Sequence, residues 1–278
     1  MMNYGQVFAQ YESELEALGE EKESLAYVFK DCKGWNQTDF ILQQPQEIAE
    51  ADLTKLEEIM QQLRQHIPAQ YITGKAYFAD LILSVDERVL IPRPETEELV
   101  KLILKENQHR SSAKLLDIGT GSGAIALALA KAQPDWQVWA SDISEDALNL
   151  AQGNATVNQA AVTFLQSDIF SHISDKYDII VSNPPYISLR DQDEVEQNVL
   201  AHEPHLALFA DNDGLAFYQK LALEAEHYLK LTGKIYLEIG YKQGEAVSQL
   251  FERQFPNKRV RLLQDSFGKD RMVVVDDG

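Results

Sequence analysis

The stretch Leu115-Leu116-Asp117-Ile118-Gly119-Thr120-Gly121-Ser122-Gly123-Ala124, running on to Lys131, decides how the chain folds. Its first four residues are an apolar run broken by one acid, which reads as a buried strand. Three glycines at alternate positions then form a tight turn, because glycine enters left-handed backbone conformations without steric cost. From Ala124 the apolar residues recur at helical spacing. Strand, glycine turn and helix in this order open an α/β sheet.

Towards the C-terminus the alternation continues. Residues 137–141 read as a strand ending at Asp142, residues 145–158 as a helix, and residues 162–165 as a strand closing on Gln166-Ser167-Asp168. A fourth strand, 177–182, is stopped by Asn183-Pro184-Pro185-Tyr186, since neither proline can donate to a sheet ladder. A long segment, 187–213, leads to a helix near 215–229, a fifth strand at 234–239 and a helix at 244–255. Residues 259–263 and 272–275 read as a closing antiparallel pair. The expected fold class is α/β: a doubly wound, mostly parallel sheet with an antiparallel edge.

Towards the N-terminus, residues 1–74 read as a helical bundle. Val7, Tyr11, Leu15 and Leu18 fall at helical spacing, as do Leu53, Leu56, Ile59, Met60, Leu63 and Ile67. Residues 75–92 read as a β-hairpin linker in which Phe78, Leu81, Leu83 and Val85 alternate and Asp86-Glu87-Arg88 is the connector. Residues 93–278 make the remaining division, opening with a helix whose first turn is crowded with acids.

Charge narrows the class of partner. Lys+Arg 25 against Asp+Glu 44 leaves −19, an acidic surface that repels nucleic-acid phosphates and attracts basic partners, although solubility alone also accounts for it. The single cysteine, Cys32, excludes an internal disulfide, fits a reducing cytosol and reads as a packing residue. Apolar runs are too short to span a bilayer and no signal-peptide core is present, so a cytoplasmic protein without membrane contact is expected. The histidines suggest no metal site, because Pro204 breaks the helix that the His202 and His205 spacing would need.

The strand ends carry the chemistry. The turn Gly119, Thr120, Gly121, Ser122 and Gly123 lets backbone approach a ligand closely. Asp142 suits the two hydroxyls of a ribose, and Asp168 with Ile169 suits an adenine amine and ring face. The same turn also satisfies the dinucleotide fingerprint, so it says nucleoside without saying which. Two features favour S-adenosylmethionine. Asp117 can bind a cationic amino group but would repel a pyrophosphate, and a methyl donor needs a nucleophile site, which residues 183–186 supply. There the Asn183 side-chain oxygen and the Pro184 carbonyl can accept both hydrogens of an NH2 on an sp2 carbon. Pro184 and Pro185 bring no competing N–H, and the Tyr186 ring can lie on the planar group.

These motifs, with I-P-R-P-E-T-E at 91–97, P-A-Q-Y-I-T-G at 68–74, E-P-H-L-A-L at 203–208 and D-G-L-A-F-Y at 213–218, resemble the bacterial peptide chain release factor N5-glutamine methyltransferases of the HemK/PrmC type. The resemblance covers nearly the full length. It implies a class I, Rossmann-like methyltransferase domain, a substrate-docking N-terminal bundle, and S-adenosylmethionine converted to S-adenosylhomocysteine. The substrate it implies is the glutamine of the Gly-Gly-Gln tip of class-1 release factors, with Asn183, Pro184 and Tyr186 as catalytic residues, Pro185 beside them in substrate binding, and Asn183 also among the cofactor-binding residues. Two rivals remain: an N6-adenine nucleic acid methyltransferase, whose target is also an sp2-bound NH2, and a non-catalytic nucleoside-binding scaffold. Net negative charge and the I-P-R-P-E-T-E segment stand against the first. Glu238, at the fifth strand end, could reach the pocket or serve only as a cap or solvent-facing group.

Overall fold

The computed structural model describes residues 2–278, which divide into two compact units. One comprises the chain up to Lys75 together with Val195–His202, the other Ala76–Glu194 with Glu203–Gly278.

The first unit is helical: α1 (Tyr4–Ala17), α2 (Glu23–Lys33), α3 (Gln37–Gln43), α4 (Glu50–Leu63) and α5 (Ala69–Thr73). Asn3 and Asn36 cap α1 and α3 by accepting from the backbone of Gln6 and Asp39, satisfying amides that have no partner inside the helix. The apolar stripes meet in a core of Val7, Leu15, Leu25, Val28, Leu56, Ile59, Met60 and Leu63, joined by Phe8, Phe29 and Phe40 in edge-to-face contact. The buried carboxylate of Asp52 is met by Lys33 at 2.8 Å and by the Tyr4 hydroxyl. Cys32 is exposed on α2, so its reading as a packing residue is corrected: the buried face of this helix is Leu25, Val28 and Phe29.

The hairpin β1 (Lys75–Phe78) and β2 (Leu81–Ser84), which belongs to the second unit from Ala76 on, is followed by α6 (Pro94–Glu106). Then come β3 (Lys114–Ile118), α7 (Ala124–Ala132), β4 (Gln137–Asp142), α8 (Glu145–Asn158), β5 (Val162–Gln166) and β6 (Tyr177–Ser182). After β6 the chain makes a 3-10 turn (Leu189–Glu194) and short helices α9 (Gln197–His202, in the first unit), α10 (His205–Leu208) and the irregular turn α11 (Asp211–Gly214). The last elements are α12 (Ala216–Tyr228), β7 (Leu229–Glu238), α13 (Gly244–Gln254), β8 (Arg259–Gln264) and β9 (Asp270–Asp276).

Seven strands form one sheet in the order β5-β4-β3-β6-β7-β9-β8, parallel from β5 to β7 and antiparallel at the β9-β8 edge. Alternate residues feed two cores. Leu115, Ile179, Val181 and Tyr236 pack with α6 and α7 on one face, while Leu116, Ile180, Ile235 and Leu237 pack with α12 and α13 on the other. Burial on both faces explains why these strands read as continuous apolar runs.

Two expectations are corrected. The hairpin turns at Ala79-Asp80, both left-handed (φ 45° and 64°), and not at residues 86–88. A left-handed alanine gives no turn signal in sequence; here Glu97 accepts its amide at 3.1 Å. β7 starts at Leu229, directly after α12, because Leu229 pairs with Tyr177 across a register shift that the local sequence does not announce.

Leu56, fully buried in the helical core, should cost about 2–5 kcal/mol when replaced by alanine, through lost burial plus a residual cavity. Urea denaturation of Leu56→Ala measures this.

Candidate functional site

The chain order reverses between β3 and β6: from β3 it runs outward to β4 and β5, then returns to lay β6 and β7 on the other side. At such a switch point the loops beyond the strand ends separate and leave a crevice. A cavity of about 260 Å³ lies there, walled by the glycine turn, the ends of β4, β5 and β6, the 88–96 segment and residues of α10 and α12.

Gly119 and Gly121 have φ of 71° and 53°, and the space where a side chain would project is open. Gly123 serves packing instead, since a Cβ there would lie 3.1 Å from Leu127. The turn spends four of its five amides on its own surroundings. Gly119 and Thr120 donate to the Ser141 carbonyl, Gly121 to Asp142 Oδ2 at 2.9 Å, and Gly123 to Thr120 O. These are the groups a pyrophosphate would need, so the arrangement speaks against a dinucleotide.

Asp117 is fully buried beneath the turn, with Oδ2 accepting from Thr120 Oγ1 at 2.6 Å and from the Ala126 amide at 3.2 Å. Its Oδ1 has no partner, and the residue lies behind the cavity wall and not on it. Burial outweighs both hydrogen bonds and pushes this carboxyl up to about 7. A buried acceptor left unpaired is costly, and an incoming ammonium group is the kind of partner it lacks. Asp142 faces the cavity, accepting from the Gly121 and Ser144 amides (2.9 and 3.0 Å), while burial still raises its pKa.

Asp168 and Ile169 are both on the wall. Asp168 Oδ2 holds Lys220 at 2.6 Å in a half-exposed pair. Ile169 is left-handed at φ 50°, a conformation that costs a β-branched residue on the order of 1–3 kcal/mol. It is held by Ser167 Oγ on its carbonyl at 3.0 Å and by Phe170 stacked on Tyr228 at 4.4 Å.

At the end of β6, Asn183 and Pro185 line the cavity, whereas Pro184 is buried and Tyr186 stands off the wall. The Tyr186 ring packs against the apolar core beneath α12 and α13, and burial pushes its hydroxyl up to about 12. Tyr186 is nonetheless part-exposed at the end of β6. Its backbone oxygen receives Gln243 Nε2 at 2.8 Å, and Gly214 (φ 80°) passes so close that a Cβ would meet that oxygen at 2.1 Å. The D-G-L-A-F-Y motif therefore braces the Asn-Pro-Pro-Tyr corner. Phe217, from the same motif, reaches the cavity.

Asn183 Nδ2 donates to Thr96 Oγ1 at 3.0 Å, and Thr96 donates to Glu238 Oε2 at 2.7 Å. With Nδ2 so engaged, Oδ1 is the end of the carboxamide left to accept. Glu238 is buried, with its pKa pushed up to about 7 by desolvation, which excludes the solvent-facing alternative. Sequence reading did not single out Thr96, Asn154 or Glu203. Asn154, mid-helix in α8, bridges Ser84 to the Ser122 carbonyl (3.0 and 2.9 Å) and ties the hairpin to the turn. Glu203 accepts from the Ile91 amide at 3.0 Å and from Arg93 Nη2 at 2.6 Å, so E-P-H-L-A-L clamps I-P-R-P. An asparagine inside a helix was the one local signal; the other two depend on contacts across more than a hundred residues or across the sheet.

Residues 96–208 match the methyltransferase small domain and residues 6–74 the PrmC N-terminal domain. The chain is 58% identical to the release factor glutamine methyltransferase of Streptococcus pneumoniae, covering 100% of this chain and 99% of the relative. It is 52% identical to that of Lactococcus lactis over 92% and 94%. A methyltransferase structure from Pyrococcus furiosus superposes with a TM-score of 0.54 at 21% identity, covering 71% of this chain and 89% of that one, and shares the fold.

Asp117 also sets a pH dependence. Its folded pKa lies above the unfolded value of about 3.9, so the stability it contributes is complete below that value and is lost as pH rises towards about 7. Urea denaturation should show stability falling across this window, with a shallower fall in Asp117→Asn.

Proposed function

The chain belongs to the release factor glutamine methyltransferases, and we propose that it methylates the side-chain amide nitrogen, N5, of the glutamine in the Gly-Gly-Gln tip of class-1 release factors, using S-adenosylmethionine and leaving S-adenosylhomocysteine. The observation that carries this reading is the acceptor corner at the end of β6, where Asn183 is bonded through Nδ2 to Thr96 and keeps Oδ1 for another donor.

An amide nitrogen is a poor nucleophile because its lone pair is delocalised into the carbonyl, as the rotation barrier of ~18–20 kcal/mol records. Asn183 Oδ1 and the Pro184 carbonyl accept its two N–H groups and turn the lone pair towards the cavity, so orientation supplies much of the rate. Pro184 and Pro185 have no N–H to compete, and Gln243 and Gly214 keep the corner from shifting. No strong base is needed beforehand. The nitrogen becomes acidic once alkylated, and its proton leaves along the contact with Asn183. Tyr186, part-exposed and packed on one side against the core, offers its ring as the flat surface beside the amide group.

S-adenosylmethionine, when bound, supplies the methyl group on a positively charged sulfur. The residues on the wall fit it: Asp142 suits ribose hydroxyls and Ile169 with Asp168 suits an adenine, while Asp117, buried beneath the turn and off the wall, keeps an unpaired Oδ1 of the kind an ammonium group would satisfy. The −19 charge suits a basic release factor tip and disfavours a nucleic acid substrate. No helix among the described residues is long and apolar enough to cross a membrane, and we assign the activity to translation termination in the cytoplasm.

Asn183→Ala should lose roughly 2.7–4 kcal/mol of transition-state stabilisation, by analogy with oriented oxyanion-hole donors, with cofactor affinity unchanged. Transfer of labelled methyl to a purified release factor, with mapping of the modified residue, tests both substrate and role; near-normal turnover would remove Asn183 from catalysis. Asp142→Ala should weaken cofactor binding by about 1.5–3 kcal/mol, read by calorimetry.

A further inference from the structure

A carboxamide is nearly symmetric in shape but not in chemistry, and nothing on its own strand decides which end of Asn183 faces the cavity. The decision is made deeper. Glu238, at the end of β7, is buried, and its Oε2 takes the hydrogen of Thr96 Oγ1 at 2.7 Å. Thr96 is buried in the first turn of α6, and its Oγ1 accepts from Asn183 Nδ2 at 3.0 Å. A hydroxyl has one hydrogen to give. An ionised carboxylate can only accept, so it claims that hydrogen and leaves Thr96 able only to accept. Nδ2 must then point inward. A neutral Glu238 would carry a hydrogen of its own, free the Thr96 hydrogen to face Asn183, and let the carboxamide turn over. Asn183 would then present N–H groups to the N–H groups of the substrate.

We propose that Glu238, acting through Thr96, is a positioning residue that holds Asn183 with its carbonyl oxygen towards the substrate amide, and that neutralising Glu238 releases this hold. The inference rests on the reading of Asn183 as the amide acceptor. Several groups face Glu238 from the surrounding elements. They are Arg271 on β9 (itself paired with Asp265), Arg93 and Glu95 at the start of α6, Tyr186 beyond β6, and Tyr218 on α12, whose hydroxyl donates to the Glu238 backbone oxygen at 2.8 Å. Desolvation outweighs the two arginines and brings the carboxyl up to about 7, so its change of charge falls in the neutral range. The active form is the ionised one, and turnover falls as pH drops through that value.

The test compares kcat across the neutral range for wild type, Thr96→Val, Thr96→Ser and Glu238→Gln, with cofactor Kd measured for each. Thr96→Val is expected to lower kcat on the order of 10- to 100-fold at unchanged cofactor Kd. Thr96→Ser, which keeps the hydroxyl, should recover most of that loss, and Glu238→Gln should abolish the fall below neutral pH. In parallel, the side-chain amide resonances of Asn183, identified by their absence from Asn183→Ala, should titrate in wild type and not in Glu238→Gln. That readout needs no substrate. Wild type that methylates no release factor would remove the substrate assignment, while the Asn183 titration would still decide the positioning role. Wild-type kcat in Thr96→Val, no recovery in Thr96→Ser, or an Asn183 titration that survives Glu238→Gln would each overturn the proposal.

Discussion

Parallel strands bring polar residues at or beside their carboxyl ends to one rim, where each needs hydrogen-bond partners. β3 brings Asp117, β4 Asp142, β6 Asn183 and β7 Glu238. The register that sets Ser182 beside Leu237 carries the next row, Asn183 and Glu238, to the same edge. Isolating such groups without hydrogen bonds costs several kcal/mol each, and the surrounding loops are arranged to supply donors. The glycine turn gives Thr120 and Gly121, the start of α7 gives the Ala126 amide, and α6 gives Thr96. Satisfaction is incomplete at Asp117 Oδ1, and both fully buried carboxyls are pushed up to about 7. On that rim Asp142 and Asn183 face the cavity as acceptors, and Asp117 and Glu238 stand buried behind it.

The segment from Ile91 to Thr96 connects these pieces. Pro94 opens α6 where a missing N–H does no harm, which lets the helix start directly at the cavity. Thr96 then reaches Asn183 and Glu238, Arg93 reaches Glu203, and the Ile91 amide reaches Glu203 as well. One short stretch thus links the end of β6, the end of β7 and the α10 region. Its two prolines limit how far it can move relative to any of them.

Backbone strain gathers around the same rim. Ile169 is left-handed where a β-branched residue is disfavoured, and Asn212, Asp213 and Gly214 are left-handed in succession. The first strain directs an apolar side chain into the cavity. The second lets the Gly214 backbone pass against Tyr186, closer than any side chain would allow. Strained positions persist only when their surroundings over-determine them, and here the stacked Phe170 and Tyr228 pair and the Gln243 bridge do so.

Periodicity and punctuation alone determined the strands and their mostly parallel class, the long helices, the bundle and the strand-end residues near the crevice, but neither the strand order nor the short helices within 187–213. These signals are local: alternate burial along a strand, a glycine where φ is positive, a proline where a ladder must stop. The hairpin turn escaped because Ala79 carries no turn signal, and the start of β7 escaped because a register shift is set by its neighbour. Only the tertiary structure decided that Gln243 and Gly214 brace Tyr186, that Glu203 clamps Arg93, and that Glu238 and Thr96 stand behind Asn183. The bonded pairs among Glu238, Thr96 and Asn183 lie 87 and 142 residues apart along the chain, the clamp 110, and hydrogen-bond direction between them exists only once the strands are in register.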